Sequence, residues 1–285
     1  LFAIAQGLLG SPPLGDILGE WCRGSQRAGL AGGFSDLTDR AIEATIGRGA
    51  AKPLWSEMKE NAERGFSGGR GGELLVKALK QLLASCDGNL GIHLVGHSAG
   101  SIYLGHLLAS MVADARLLGK VQGIHLFAPA CTVAFANKHY ASRPDLLQRT
   151  QISLLSDSNE LNDNTAYIYR KSLLYLVSNA LEADRRTPLL GMQKVFTSAT
   201  SGDDWDGTST TMEALSQWQR SWNQLNSRNL HVVTADKVTT AVAGPVRIAA
   251  AHGSFDNDIE VLDRTLKLIT GSTKLSVPIG DLRGF

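Results

Sequence analysis

Three cysteines in 285 residues, Cys22, Cys86 and Cys131, are odd in number and far apart, and none forms the CxxC spacing of a zinc or redox pair. The expectation is three free thiols in a reducing compartment, and so a cytoplasmic protein. No apolar run approaches the ~18 to 20 residues that would cross a bilayer. Lys and Arg total 28 against 27 Asp and Glu, a net charge of +1 without long blocks of one sign. Bulk electrostatics therefore marks out neither a nucleic-acid binder nor a membrane-surface binder. Gly-x-x-x-x-Gly-Lys is missing, and no dinucleotide fingerprint follows a strand candidate. His93 and His97 stand four apart on a strand candidate, roughly 13 Å from end to end, too far to share a metal. Neither a cofactor nor a metal is expected.

With 43% hydrophobic residues, the chain can bury one substantial core. Residue 1 is Leu rather than Met, which raises the expectation of a processed chain or the remainder of a longer one. Residues 1–89 carry no convincing strand, only amphipathic stretches at Leu54 to Ala62 and Glu73 to Ala84, parted by the glycine-rich Arg64 to Gly72. From residue 90 to 285 the pattern changes. Short apolar runs at Ile92 to Val95, Gly123 to Ala128, Gln151 to Leu155, Leu230 to Thr234 and Val246 to Ala250 read as strands. Helical stretches at Ala99 to Leu118, Tyr167 to Ala183, Met212 to Leu225 and Asp258 to Thr270 lie between and after them. This alternation predicts an α/β fold, a mostly parallel sheet flanked by helices. The segment from Ser158 to Arg228 is longer than a crossover needs and predicts a helical insertion over the sheet.

Two Gly-x-Ser-x-Gly strings occur, and with 30 glycines the pattern alone is weak evidence. The first, around Ser67, has no strand before it and only more glycine after it, so Ser67 reads as loop. The second, Gly96-His97-Ser98-Ala99-Gly100, follows the run Ile92 to Val95 and leads straight into a patterned helix. A sharp strand-to-helix turn there would lift the Ser98 hydroxyl clear of the sheet edge. The N–H of Ala99 would point to where a tetrahedral oxyanion forms. The competing reading of Ser98 is a helix-capping serine.

Gly96 to Gly100 resembles the nucleophile elbow of the α/β-hydrolase superfamily, in its esterase and lipase branch. The resemblance covers the chain from about residue 90 and implies a triad in the order serine, acid, histidine. It implies His252 as general base, because this histidine follows the apolar run Val246 to Ala251 and precedes the last helix. His93, His97, His106, His125 and His231 read as packed or capping residues, and His139 as surface. The resemblance places the acid after the second strand beyond the elbow, where Gln151 to Leu155 is followed by Asp157. Glu160, Asp163 and Asp236 remain alternatives. Acidic residues around 256–258 read instead as caps of the last helix.

The pattern also departs from the family. No His-Gly pair before residue 96 offers a second oxyanion donor, and residues 1–89 lack the family's early strands. The expectation is that an N-terminal portion carrying both is missing from the chain. The expected activity is carboxylic ester hydrolysis through an acyl-enzyme on Ser98, on a small-molecule or lipid ester. A thioesterase or amidase with the same triad, or a non-catalytic binding or scaffold protein on this fold, is the alternative.

Overall fold

A computed structural model describes residues 39, 42–45, 49, 51–86, 89–163, 169, 171–197, 204–205, 208–225, 229–234, 238–241, 245–248 and 250–279. Cys22 and Asp236 lie outside these, as does the predicted helix start at Tyr167. From residue 51 onward two helices precede the sheet, α1 (Ala51–Arg64) and α2 (Gly71–Ser85), covering both amphipathic stretches expected there. Trp55 of α1 and Val76 and Leu83 of α2 are buried.

The sheet follows. Its strands are β1 (Ile92–His97), β2 (Val121–Phe127), β3 (Thr150–Leu155) and, much later, β4 (Leu230–Val233). They pair in the order β1-β2-β3-β4, all parallel. The molecule is therefore an α/β protein on a four-stranded parallel sheet flanked by helices. Parallel strands need crossovers, and these are supplied between β1 and β2 by α3 (Gly100–Met111) and α4 (Ala115–Leu118). The sequence predicts one helix over that stretch. Asp114 divides it, because its carboxylate accepts the Leu117 N–H and caps a new helix.

Between β2 and β3 lie α5 (Val133–His139) and α6 (Pro144–Gln148). The connection from β3 to β4 holds α7 (Asp157–Asn162), α8 (Leu173–Leu176) running into a π-helical turn at Val177–Leu181, a 3-10 turn at Gln193–Phe196 and α9 (Ser209–Asn223). Trp205, Trp218 and Trp222 are buried here, the last two stacked on each other with ring centroids 5.6 Å apart. They are core residues.

One strand is placed differently from its expectation. Val246 to Ala250 was expected to join the parallel sheet, but β6 (Pro245–Ile248) pairs antiparallel with β5 (Val238–Ala241) in a separate ribbon. Residues 242–244 are too few for a parallel crossover, which takes about a dozen, so the two runs pair with each other. The last helix, α10 (Ile259–Thr270), matches its predicted limits. Asp258 caps its start by accepting the N–H groups of Glu260 and Val261, and Gly271 ends it in the left-handed conformation at φ 65°.

Candidate active site

Ser98 lies at the carboxyl end of β1, Asp157 just past that of β3, and His252 on the turn before α10. Ser98 follows β1 directly and has φ 51°, in the left-handed region that non-glycine residues rarely adopt. The surrounding hydrogen bonds hold it there. Its N–H donates to the Phe127 carbonyl at 2.8 Å, which carries the β1–β2 ladder one step past the strand. Three donors converge on its own carbonyl: the Ala130 N–H at 3.1 Å, the Ser101 N–H at 3.1 Å and the Ser101 hydroxyl at 2.7 Å. Ser101 is fixed in turn, since its Oγ accepts the Cys131 N–H at 3.2 Å and its carbonyl accepts the Tyr140 hydroxyl.

The turn also needs close packing. A methyl at Gly96 would stand 2.7 Å from Leu104 Cδ1 and 3.3 Å from the Gly100 backbone, so any larger residue would force Leu104 to move and α3 to give slightly. Beyond the turn, Ala99 already has helical angles (φ −60°, ψ −20°) at the head of α3. First-turn N–H groups have no intrahelical acceptor, and the helix N-terminus favours negative charge.

His252 opens a 3-10 turn, His252–Asn257, just before α10. Its Nε2 lies 3.0 Å from Ser98 Oγ across 154 residues of sequence, with both side chains buried. Phe255 presses this turn onto the sheet, its ring 6.3 Å from Phe127 and 5.9 Å from His97. The backbone of His252 is held at both ends. Its N–H donates to Asp163 Oδ2 at 2.9 Å, and its carbonyl accepts from His97 Nε2 at 2.9 Å. Because a carbonyl only accepts, the His97 proton must sit on Nε2. The far ring nitrogen of His252, Nδ1, is buried and has no hydrogen-bond partner among the described residues. Burial, with His97 close by, pushes the His252 pKa down to about 3, so the imidazole is neutral at neutral pH. Burial also lowers the pKa of His97, against the opposing pull of its bond to the His252 carbonyl.

The structure thus brings Ser98 and His252 together and leaves Asp157 apart from the ring. The Asp157 carboxylate accepts the Tyr175 hydroxyl through Oδ1, and its Oδ2 lies 3.7 Å from Lys194 Nζ. Both partners line a separate polar cavity of about 200 Å³. Of the alternative acids, Asp163 meets the His252 backbone. Glu160 is 1% exposed, and burial pushes its pKa up to about 8 against the opposing pull of the Ser172 hydroxyl.

His139 is a correction. It was expected at the surface, but it is buried with its ring stacked on Phe135 at 4.1 Å and edge-on to His106 at 5.2 Å. Its helix packs against α3, where Gly105 leaves space for the Phe135 ring. His97 and Ser101 had no sequence signal beyond lying in or beside the elbow. Among the described residues, no group of three or more His, Cys, Asp and Glu is placed to hold a metal, and no helix is long and apolar enough to cross a membrane.

No protein-family model, curated protein or solved structure matches the chain. What fold and site define together is an α/β protein with a buried serine–histidine pair at the carboxyl edge of its parallel sheet.

Proposed function

We propose that the chain is a serine hydrolase of the α/β-hydrolase type that cleaves carboxylic esters through an acyl-enzyme on Ser98. The reading rests on one observation, the 3.0 Å approach of His252 Nε2 to the hydroxyl of a serine held at φ 51°. A hydroxyl is a poor nucleophile until a neighbouring base takes its proton, and this pair supplies both partners. Ser98 Oγ attacks the ester carbonyl carbon as its proton passes to His252 Nε2. The carbonyl π electrons move onto oxygen, and the oxyanion is held by the Ala99 N–H at the head of α3. Collapse expels the alkoxide, which takes the proton from His252. Water then attacks the acyl-serine as its proton passes to His252, and collapse releases the acid while Ser98 Oγ takes that proton back. No step needs a cofactor. Thioesters and amides would follow the same course.

A non-catalytic binding role is the second reading, and the unpartnered Nδ1 of His252 favours it, because among the described residues no carboxylate fixes the tautomer of the ring. A fluorophosphonate probe separates the two. Covalent labelling of the wild-type chain, lost in Ser98→Ala, is the expected result, and an unlabelled wild type would remove the catalytic reading. A series of p-nitrophenyl esters of increasing chain length then reports the acyl preference.

A further inference from the structure

Resting on the hydrolase reading, we infer that Asp163 and His97 are positioning residues that clamp the main chain of His252 from both sides, so that the base is aimed through its backbone rather than through its ring. The orientation of an imidazole is set by its backbone position and two side-chain torsions. In a serine–histidine–aspartate site a carboxylate on Nδ1 fixes those torsions. Here Nδ1 has no partner among the described residues, yet Nε2 still meets Ser98 at 3.0 Å.

Two long-range bonds fix the backbone share of that aim, leaving the torsions to the packing of the buried ring. Asp163, just past α7, accepts the His252 N–H at 2.9 Å across 89 residues. His97, the last residue of β1 and the neighbour of the nucleophile, donates Nε2–H to the His252 carbonyl at 2.9 Å across 155 residues. The second bond matters most, because His97 and Ser98 are adjacent in the chain. The group holding the base is thereby tied to the turn that carries the nucleophile, and a shift of one carries the other. The ring of His97, 5.3 Å from that of His252, also closes one side of the site. The bond to Asp163 is charge-assisted, the stronger kind of hydrogen bond.

A backbone clamp and a ring-orienting acid call for different chemistry at residue 163. A backbone N–H can also donate to an amide oxygen, so Asp163→Asn keeps the clamp in a weaker, uncharged form. Charge support of an imidazolium needs the carboxylate itself. With Asp163→Ala, kcat and the rate of fluorophosphonate labelling should fall about 100-fold at little change in KM, the scale of a misplacement near 1 Å. Asp163→Asn should restore most of that loss with the acid limb of the pH profile unmoved. His97→Phe, which keeps a ring beside Phe255 but has no donor, should slow labelling in the same way. An Asn variant as slow as the Ala variant, or one with a displaced acid limb, would overturn the clamp in favour of direct action on the ring.

Amide hydrogen exchange at His252 gives a readout independent of turnover. It should quicken in Asp163→Ala and return toward the wild-type rate in Asp163→Asn. Unchanged exchange in the Ala variant would overturn the clamp whatever the labelling shows. If the Ala variant fails to fold, His97→Phe decides the matter, and wild-type labelling in that variant counts against the clamp. A wild type that resists the probe yet shows this exchange pattern would remove the hydrolase reading and leave the clamp standing.

Discussion

Holding a serine at φ 51° costs about 1–2 kcal/mol that a glycine would not incur. The three donors on the Ser98 carbonyl, together with the bond from its N–H to Phe127, offset that strain and keep the hydroxyl facing His252. Ser98→Ala removes the nucleophile but keeps the strain, whereas Ser98→Gly removes both. Both variants should lose labelling, and Ser98→Gly should unfold at the higher temperature, by about 1 kcal/mol in stability. Equal melting temperatures would mean the turn is unstrained. A second expectation concerns the base. A general base works only when unprotonated, and His252 is pushed down to about 3 from an ordinary 6.5. Activity on a simple ester should therefore persist at pH 5, where an ordinary histidine is largely charged. A rate that halves near pH 6.5 would show that His252 gains a ring partner during turnover.

Helix α3 links Ser98 to the core, and its two glycines meet opposite surroundings. Gly100 faces open space, so an added methyl meets nothing within 4 Å. At Gly105 the same methyl would fall on the Phe135 ring and lie 3.2 Å from His139 Cβ. Replacing glycine by alanine in a helix is worth about 0.5–1 kcal/mol from backbone entropy alone. Gly100→Ala should thus leave the melting temperature unchanged or raise it. Gly105→Ala should lower stability by about 1–3 kcal/mol, because overpacking outweighs the helical gain. Equal effects at both sites would mean that α5 can withdraw from α3 at no cost. Helix limits were legible where local chemistry sets them, as at the Asp258 cap and the Gly271 stop. The contact between α3 and α5 was not, because nothing local to Phe135 or His139 specifies that they meet Gly105.

Across the whole molecule, buried titratable groups set how stability varies with pH. His252, His125 and His139 are buried and held neutral, with pKa values pushed down to about 3, 4 and 4, in each case by burial first. Below pH 6.5 the unfolded chain binds protons at these histidines and the folded chain does not, so stability falls as pH drops from 6.5 toward 4. Glu160 acts in the opposite sense. The folded chain keeps its proton up to about 8 while the unfolded chain loses it near 4.5, so stability falls as pH rises across that window. Three histidines outweigh one carboxyl below 6.5, and between 6.5 and 8 the pull of Glu160 takes over, so the balance of these four groups puts the peak melting temperature near pH 6.5. In Glu160→Gln the decline between pH 6.5 and 8 should flatten. A wild-type melting temperature that climbs throughout that interval would contradict the assignment.

Local sequence determined the alternation of strand and helix and the tight turn after β1. Each of these depends on periodicity, a glycine or a cap, which neighbouring residues specify among themselves. Tertiary structure decided the rest: Asp157 turned to Tyr175 and Lys194, Asp163 and His97 closed on His252, His139 became buried, and β6 paired with β5. Those outcomes join residues as far as 155 positions apart, or depend on how much chain is left to cross the sheet. A hydrogen-bond partner at that separation is selected by which surfaces pack together, and no residue near either end encodes the choice.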